Sequence, residues 1–177
     1  MLSYTARVDN LSGRAVTTST IRAMHDQVRL AKQDWAWIEL ATWIVRGVPS
    51  KAYLAEAKRL FDAIHALIWE TEYFSYRRDS HQVEVVTSPW HVISRRAGDC
   101  DDWSVFYASL VGAVGFPYRF KTVNADPTRP SQPSHVYTQV LVPGYGWRSA
   151  DLTVERAVFG WEPTGYPFEL WPEPEYR

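Results

Sequence analysis

The chain has 177 residues, a net charge of −1, 15% aromatic residues including nine Trp, and one cysteine. Near-neutral charge with no sustained basic stripe, Arg77-Arg78 and Arg95-Arg96 being only pairs, lacks the electrostatic footprint of a nucleic-acid binder. The longest apolar run, Val105 to Phe116, is too short to span a bilayer, the N-terminus lacks a signal-peptide layout, and a sole cysteine excludes an intrachain disulfide, so a cytoplasmic protein of one domain, off the membrane, is expected.

Residues 1–18 mix polar and small residues without a period and read as an N-terminal arm. A helix is expected from Ser19 or Thr20, with Ile21, Met24, Val28 and Ala31 on one face, and Asp34 reads as the N-cap of a second helix, Trp35 to Arg46. Gly47-Val48-Pro49-Ser50 ends it, and Ser50 is placed to cap a long amphipathic helix whose stripe runs from Tyr53 to Trp69. His65, at the border of that stripe, reads as structural or as a solvent-edge residue. The stretch Tyr73 to Asp79 suits a strand or a groove wall. The Ser88-Pro89-Trp90 turn then leads into a short helix, Trp90 to Arg96.

Gly98-Asp99 reads as a turn and N-cap, and Trp103, Phe106, Tyr107, Leu110, Val111 and Val114 follow at helical spacing, so Cys100 falls at a helix start. Gly115 in the left-handed position and Pro117 should stop that helix near Val114. Tyr118 to Val123 alternates as a strand. Asn124 to Ser134, with Pro127, Pro130 and Pro133, reads as a surface loop, either a plain connector or a gate. Two strand-like runs follow, one opening at His135 and the next ending in Asp151. Residues 157–177, rich in proline and aromatics, read as an extended tail packed on the domain through Trp161-Glu162-Pro163 and Phe168 to Trp171.

A lone cysteine is either inert packing or reactive. At a helix N-terminus the macrodipole, equivalent to about half a positive charge, favours the thiolate. Asp101 and Asp102 oppose this, since nearby carboxylates repel a thiolate. A nucleophilic Cys100 therefore needs a histidinium from elsewhere in the chain. Asp99, Asp101 and Asp102 also suggest a cation site, but capping and first-turn charge explain them more simply.

Gly98-Asp99-Cys100-Asp101-Asp102 opening a helix, His135-Val136-Tyr137 opening a strand and Asp151-Leu152-Thr153 ending the next resemble the core motifs of the transglutaminase-like superfamily, over about Leu54 to Trp161. The resemblance is closest to small bacterial and phage members. It implies an α+β, papain/transglutaminase-like fold: N-terminal helices and a nucleophile helix packed on a small antiparallel sheet, the domain spanning 19–156. It implies that Cys100 is the nucleophile, His135 the base and acid, and Asp151 the residue that orients the histidine. Larger members hold the oxyanion with a tryptophan upstream of the cysteine, which makes Trp69 a candidate; Trp90 is a second candidate at the site rim, and Asp99 and Asp101 flank the nucleophile. No metal and no cofactor are expected.

The implied chemistry is hydrolysis of, or acyl transfer from, a peptide or glutamine amide through a thioester, with a protein or peptide as substrate. The alternative is a noncatalytic structural or assembly protein on the same fold, in a phage particle or the host cytoplasm, with other chains as partners. Strand geometry adds a constraint. If Val142 opposed Trp147 across a tight turn, His135 and Asp151 would lie on opposite faces of the hairpin. A bulge or a loop of odd length around Gly144 and Gly146 is required, which sets Asp151 opposite His135 or diagonal to it.

Overall fold

The computed structural model describes residues 5–8, 14–78 and 84–175. The organising element is a helix buried on every side, α5 (Cys100–Ala113), in which each residue from Asp101 to Val111 is buried. Around it pack α1 (Arg14–Ala31), α2 (Trp35–Ile44), α3 (Tyr53–Trp69) and α4 (Pro89–Arg95). The remaining side is covered by an antiparallel sheet made of β5 (Tyr118–Val123), β6 (His135–Val142), β7 (Gly146–Ala150) and β8 (Phe168–Pro172), in the order β7-β6-β5-β8. Mixed helices and a small antiparallel sheet make this an α+β fold. No helix among the described residues is long and apolar enough to cross a membrane.

Large side chains set the packing. Trp37, Trp103, Tyr107, Phe61, Phe106 and Phe120 are all but fully buried, and burying an aliphatic or Phe side chain stabilises by roughly 2 kcal/mol. Trp37 meets Phe106 and Trp90 edge-on, and Phe74 meets Trp103 edge-on. Some polar atoms in this core find partners nearby, as Tyr107 Oη donates to the Ala57 carbonyl at 2.9 Å and Ser109 Oγ to the Val105 carbonyl at 2.7 Å, whereas the indole N–H groups of Trp37 and Trp103 are buried without an acceptor among the described residues.

Local signals place several boundaries. Asp34 caps α2 by accepting from the Ala36 N–H at 2.9 Å, and Ser88 caps α4 by accepting from the His91 N–H. At the C-terminus of α5, Gly115 takes φ of 92°, and bonds from Gly115 N to Gly112 O and from Phe116 N to Val111 O close a Schellman motif.

Elsewhere the structure departs from the sequence expectation. α1 starts at Arg14, not at Ser19 or Thr20, and the Thr18 hydroxyl donates back to the Arg14 carbonyl inside the helix. The N-cap of α3 is Ala52, with no side-chain cap bond; Ser50 lies outside, within the turn that the Ala52 N–H to Pro49 carbonyl bond closes. The segment expected as an extended tail contributes β8, which pairs with β5 from Arg119↔Pro172 to Val123↔Phe168. Near the N-terminus, β1 (Thr5–Val8) pairs antiparallel with β3 (Glu84–Thr87), and β2 (Ser75–Tyr76) pairs parallel with β4 (Ala97–Gly98). Asp79, the last residue of the Tyr73 to Asp79 stretch, lies outside the described residues.

Candidate active site

Asp99, extended, follows β4 as the N-cap residue, and Cys100 opens α5 half-buried. The helix start is fixed to the sheet by one hydroxyl. Ser104 Oγ lies 2.6 Å from the Cys100 carbonyl, one turn back, and 3.1 Å from the Val136 carbonyl of β6, while Thr138 Oγ1 donates to the Ser104 carbonyl at 2.8 Å. These bonds seat the first turn of α5 against the first residues of β6, the strand that His135 opens.

The β6–β7 hairpin has the odd-length loop that strand alternation demands if His135 and Asp151 are to share a face. Val142 pairs with Gly146 across Pro143-Gly144-Tyr145, and both Gly144 (φ 79°) and Gly146 (φ 74°) are left-handed. Continuing the register from Thr138↔Ala150, position 151 falls opposite Tyr137, which puts Asp151 diagonal to His135 on one face. Their side chains meet: His135 Nε2 lies 2.7 Å from Asp151 Oδ2.

Asp151 is 1% exposed and shaped for this contact. Its other oxygen, Oδ1, accepts from the Thr153 N–H at 3.0 Å and the Thr153 hydroxyl at 2.6 Å. Burial alone would push its carboxyl up; the His135 hydrogen bond and charge, with the two Thr153 bonds, bring it below the ordinary carboxylate range. An ionised Asp151 only accepts, so His135 Nε2 must carry the proton of that bond, and in the neutral ring Nδ1 holds the basic lone pair.

The other sequence candidates take different places. Trp69 gives its indole N–H to the Leu152 carbonyl at 2.9 Å, so it braces the turn that carries Asp151. Trp90 gives its indole N–H to Asp34 Oδ2 at 3.0 Å and thereby ties α4 to the cap of α2. Both indole N–H groups are thus engaged within the fold. Asp99 and Asp101 are buried at the helix start, and the Asp99 side chain makes no cap hydrogen bond. With Asp102 they bring carboxylate oxygens within 4.8 Å of one another, the one such group among the described residues that could gather round a cation. Asp102 is also a staple: its Oδ1 accepts from the Thr87 N–H at 2.9 Å and the Thr87 hydroxyl at 2.6 Å, joining α5 to β3. His65 stacks on Phe61 and lies 3.0 Å from the Val154 carbonyl, in keeping with a structural role.

A family model for the Transglutaminase-like superfamily matches residues 38–152, more than half of the chain and inclusive of Cys100, His135 and Asp151. The chain belongs to the transglutaminase-like superfamily. Comparison with curated proteins gives no match. Among solved structures, the chain is similar to a "putative cysteine protease" from Cytophaga hutchinsonii, at 17% identity and a TM-score of 0.49, over 98% of this chain and 64% of that one. It is also similar to a "putative protease" from Parabacteroides distasonis, at 10% identity and a TM-score of 0.46, over 76% of this chain and 30% of that one. The chain thus spans less than two thirds of either protein. The superfamily match ends at Leu152, so Thr153, which clamps Asp151, and β8 lie beyond it.

Sequence reasoning missed two residues that shape the site. Thr153 had a signal, since Asp-x-Thr after a strand is an Asx-type turn. Ser104 had none: a serine within an apolar helix is ordinary until the strand it bonds is known.

Proposed function

We propose that Cys100, His135 and Asp151 act as a catalytic triad for acyl transfer from a peptide or glutamine amide. The observation that carries this reading is the 2.7 Å bond between His135 Nε2 and a buried, doubly clamped Asp151. It orients the ring and leaves Nδ1 to take the thiol proton. The thiolate of Cys100 attacks the amide carbon, the C=O electron pair moves to oxygen, and collapse of that intermediate breaks the C–N bond as His135 protonates the departing amine. A thioester on Cys100 remains. Water, deprotonated by His135, releases an acid; an amine in its place gives transamidation. A peptide or protein is accordingly the substrate, and no step in this sequence calls on a metal or cofactor.

The test is a product census. Wild type and Cys100→Ser are incubated with a proteome-derived peptide library plus dansylcadaverine, and mass spectrometry reads new termini, Gln-to-Glu conversion and amine incorporation. One of the three is expected in wild type and none in Cys100→Ser. Products unchanged in Cys100→Ser, or no product in wild type, would favour the assembly role.

A further inference from the structure

Acyl transfer through Cys100 needs donors for the oxygen that becomes negative, and the helix start supplies the Cys100 N–H. With Trp69 and Trp90 both engaged elsewhere, another element beside the thiol can supply a second donor. β2 is that element. It runs parallel to β4, with Ser75↔Ala97 and Tyr76↔Gly98 as partners, and bonds from Ser75 N to Arg96 O (3.0 Å) and Arg77 N to Gly98 O (2.9 Å) fix the register.

Partners in a ladder project to the same face, so the direction of the missing Gly98 side chain is also that of Tyr76. A Cβ on Gly98 would meet Asp102 Cβ at 2.8 Å and Asp102 Oδ2 at 3.3 Å. That face of the ladder therefore looks at the first turn of α5, where Cys100 sits, and Tyr76 stands on it half-buried against the core. The electrostatics agree. Burial chiefly, then the charges of Cys100 and Asp99, push the Tyr76 phenol up to about 12, while Arg78, hydrogen-bonded to it, pulls the other way. A guanidinium can only donate, so the phenol oxygen accepts from Arg78 and the phenol hydrogen is left to point elsewhere.

We propose that Tyr76 is a catalytic residue whose O–H, together with the Cys100 N–H, holds the oxyanion of the tetrahedral intermediate. This rests on Cys100 being the nucleophile, and the test separates the two claims by using two small electrophiles that need no substrate pocket. Iodoacetamide forms an S–C bond as iodide leaves, with no oxyanion. p-Nitrophenyl acetate first gains the S–C bond while its C=O pair moves to oxygen, then re-forms C=O as p-nitrophenolate leaves, giving an acetyl thioester.

Tyr76→Phe should slow acetylation of Cys100 by about tenfold or more, in the lower range for loss of one oxyanion donor, with its iodoacetamide rate within about twofold of wild type. Equal rates with both reagents, or an equal fall in both, overturn the proposal, the second outcome marking Tyr76 as support for the thiolate or the fold. A wild-type Cys100 that alkylates at pH 6 no faster than an ordinary thiol overturns the nucleophile itself, and Tyr76 with it. Thermal melting of Tyr76→Phe, together with the iodoacetamide rate, guards against a folding defect, since both require an intact helix start.

Discussion

Two buried aspartates in this protein are held the same way and do different things. Asp102, in the first turn of α5, and Asp151, at the end of β7, each use one carboxylate oxygen to accept from the N–H and the hydroxyl of a single threonine, Thr87 and Thr153. Thr87 is fifteen residues away from Asp102 in the chain, so that clamp joins two elements. Thr153 is two residues from Asp151, so that clamp only shapes a turn and frees the second oxygen for His135. The same chemistry thus staples the fold when the partner is distant, and aims a side chain when it is near.

The largest effect should come from the aiming aspartate. Asp151→Asn keeps the shape and the Thr153 bonds but lets Nδ1 of His135 carry the proton, and turnover measured in the product assay should fall by about 10³ to 10⁴ with the melting temperature little changed. Asp102→Ala should do the reverse. It leaves the buried Thr87 N–H and hydroxyl without their acceptor, which costs about 3 kcal/mol in urea unfolding while the surviving folded fraction still turns over. If Asp102→Ala abolishes turnover without loss of stability, the distinction between staple and aiming residue collapses.

Gly98→Ala probes the staple from outside. Its new Cβ would fall 2.8 Å from Asp102 Cβ, which has no flexible end to yield, so the first turn of α5 must shift, at about 1–3 kcal/mol by urea unfolding.

The smallest effect concerns acid. His25 of α1, 3.0 Å from the Tyr118 hydroxyl, has its pKa lowered to about 4, chiefly by burial and also by Lys32, against a backbone hydrogen bond to Trp171. The fold favours the neutral ring, so its contribution is complete above about pH 6.5 and is lost as pH falls towards 4, by about 2 kcal/mol between pH 6.5 and 5. Asp151, held below the ordinary range, stays ionised through that window. Urea midpoints should therefore fall between pH 6.5 and 5 in wild type and stay level in His25→Gln; an equal fall in the variant would point to another group.

What could be read from sequence was what is local. The Asp34 cap, the glycine stop at Gly115 and the start of α5 at Cys100 are decided within a few residues, and all three stand in the structure. The odd hairpin loop was legible too, because alternation along a strand makes it a condition for His135 and Asp151 to meet. The parts that escaped depend on distant chain. The pairing of Phe168–Pro172 with β5 has no signature in a proline-rich segment, since an edge strand tolerates proline where a central one does not. Neither does the pairing of Tyr76 with Gly98, two short strands brought together by α3 and α4. Trp69 and Trp90 were legible as important and not as to purpose, because an indole N–H reveals its acceptor only in three dimensions.

The central claim is that His135, aimed by Asp151, keeps Cys100 ionised, and the rate of Cys100 alkylation by iodoacetamide from pH 5 to 9 tests it most directly. An ion pair supported by a helix N-terminus should hold the wild-type rate nearly level down to pH 6, far above that of an ordinary thiol, whose thiolate titrates near 8.5. His135→Ala should lose that plateau and climb with pH as a simple thiol does. Equal, slow, steadily rising profiles for wild type and variant would contradict the account.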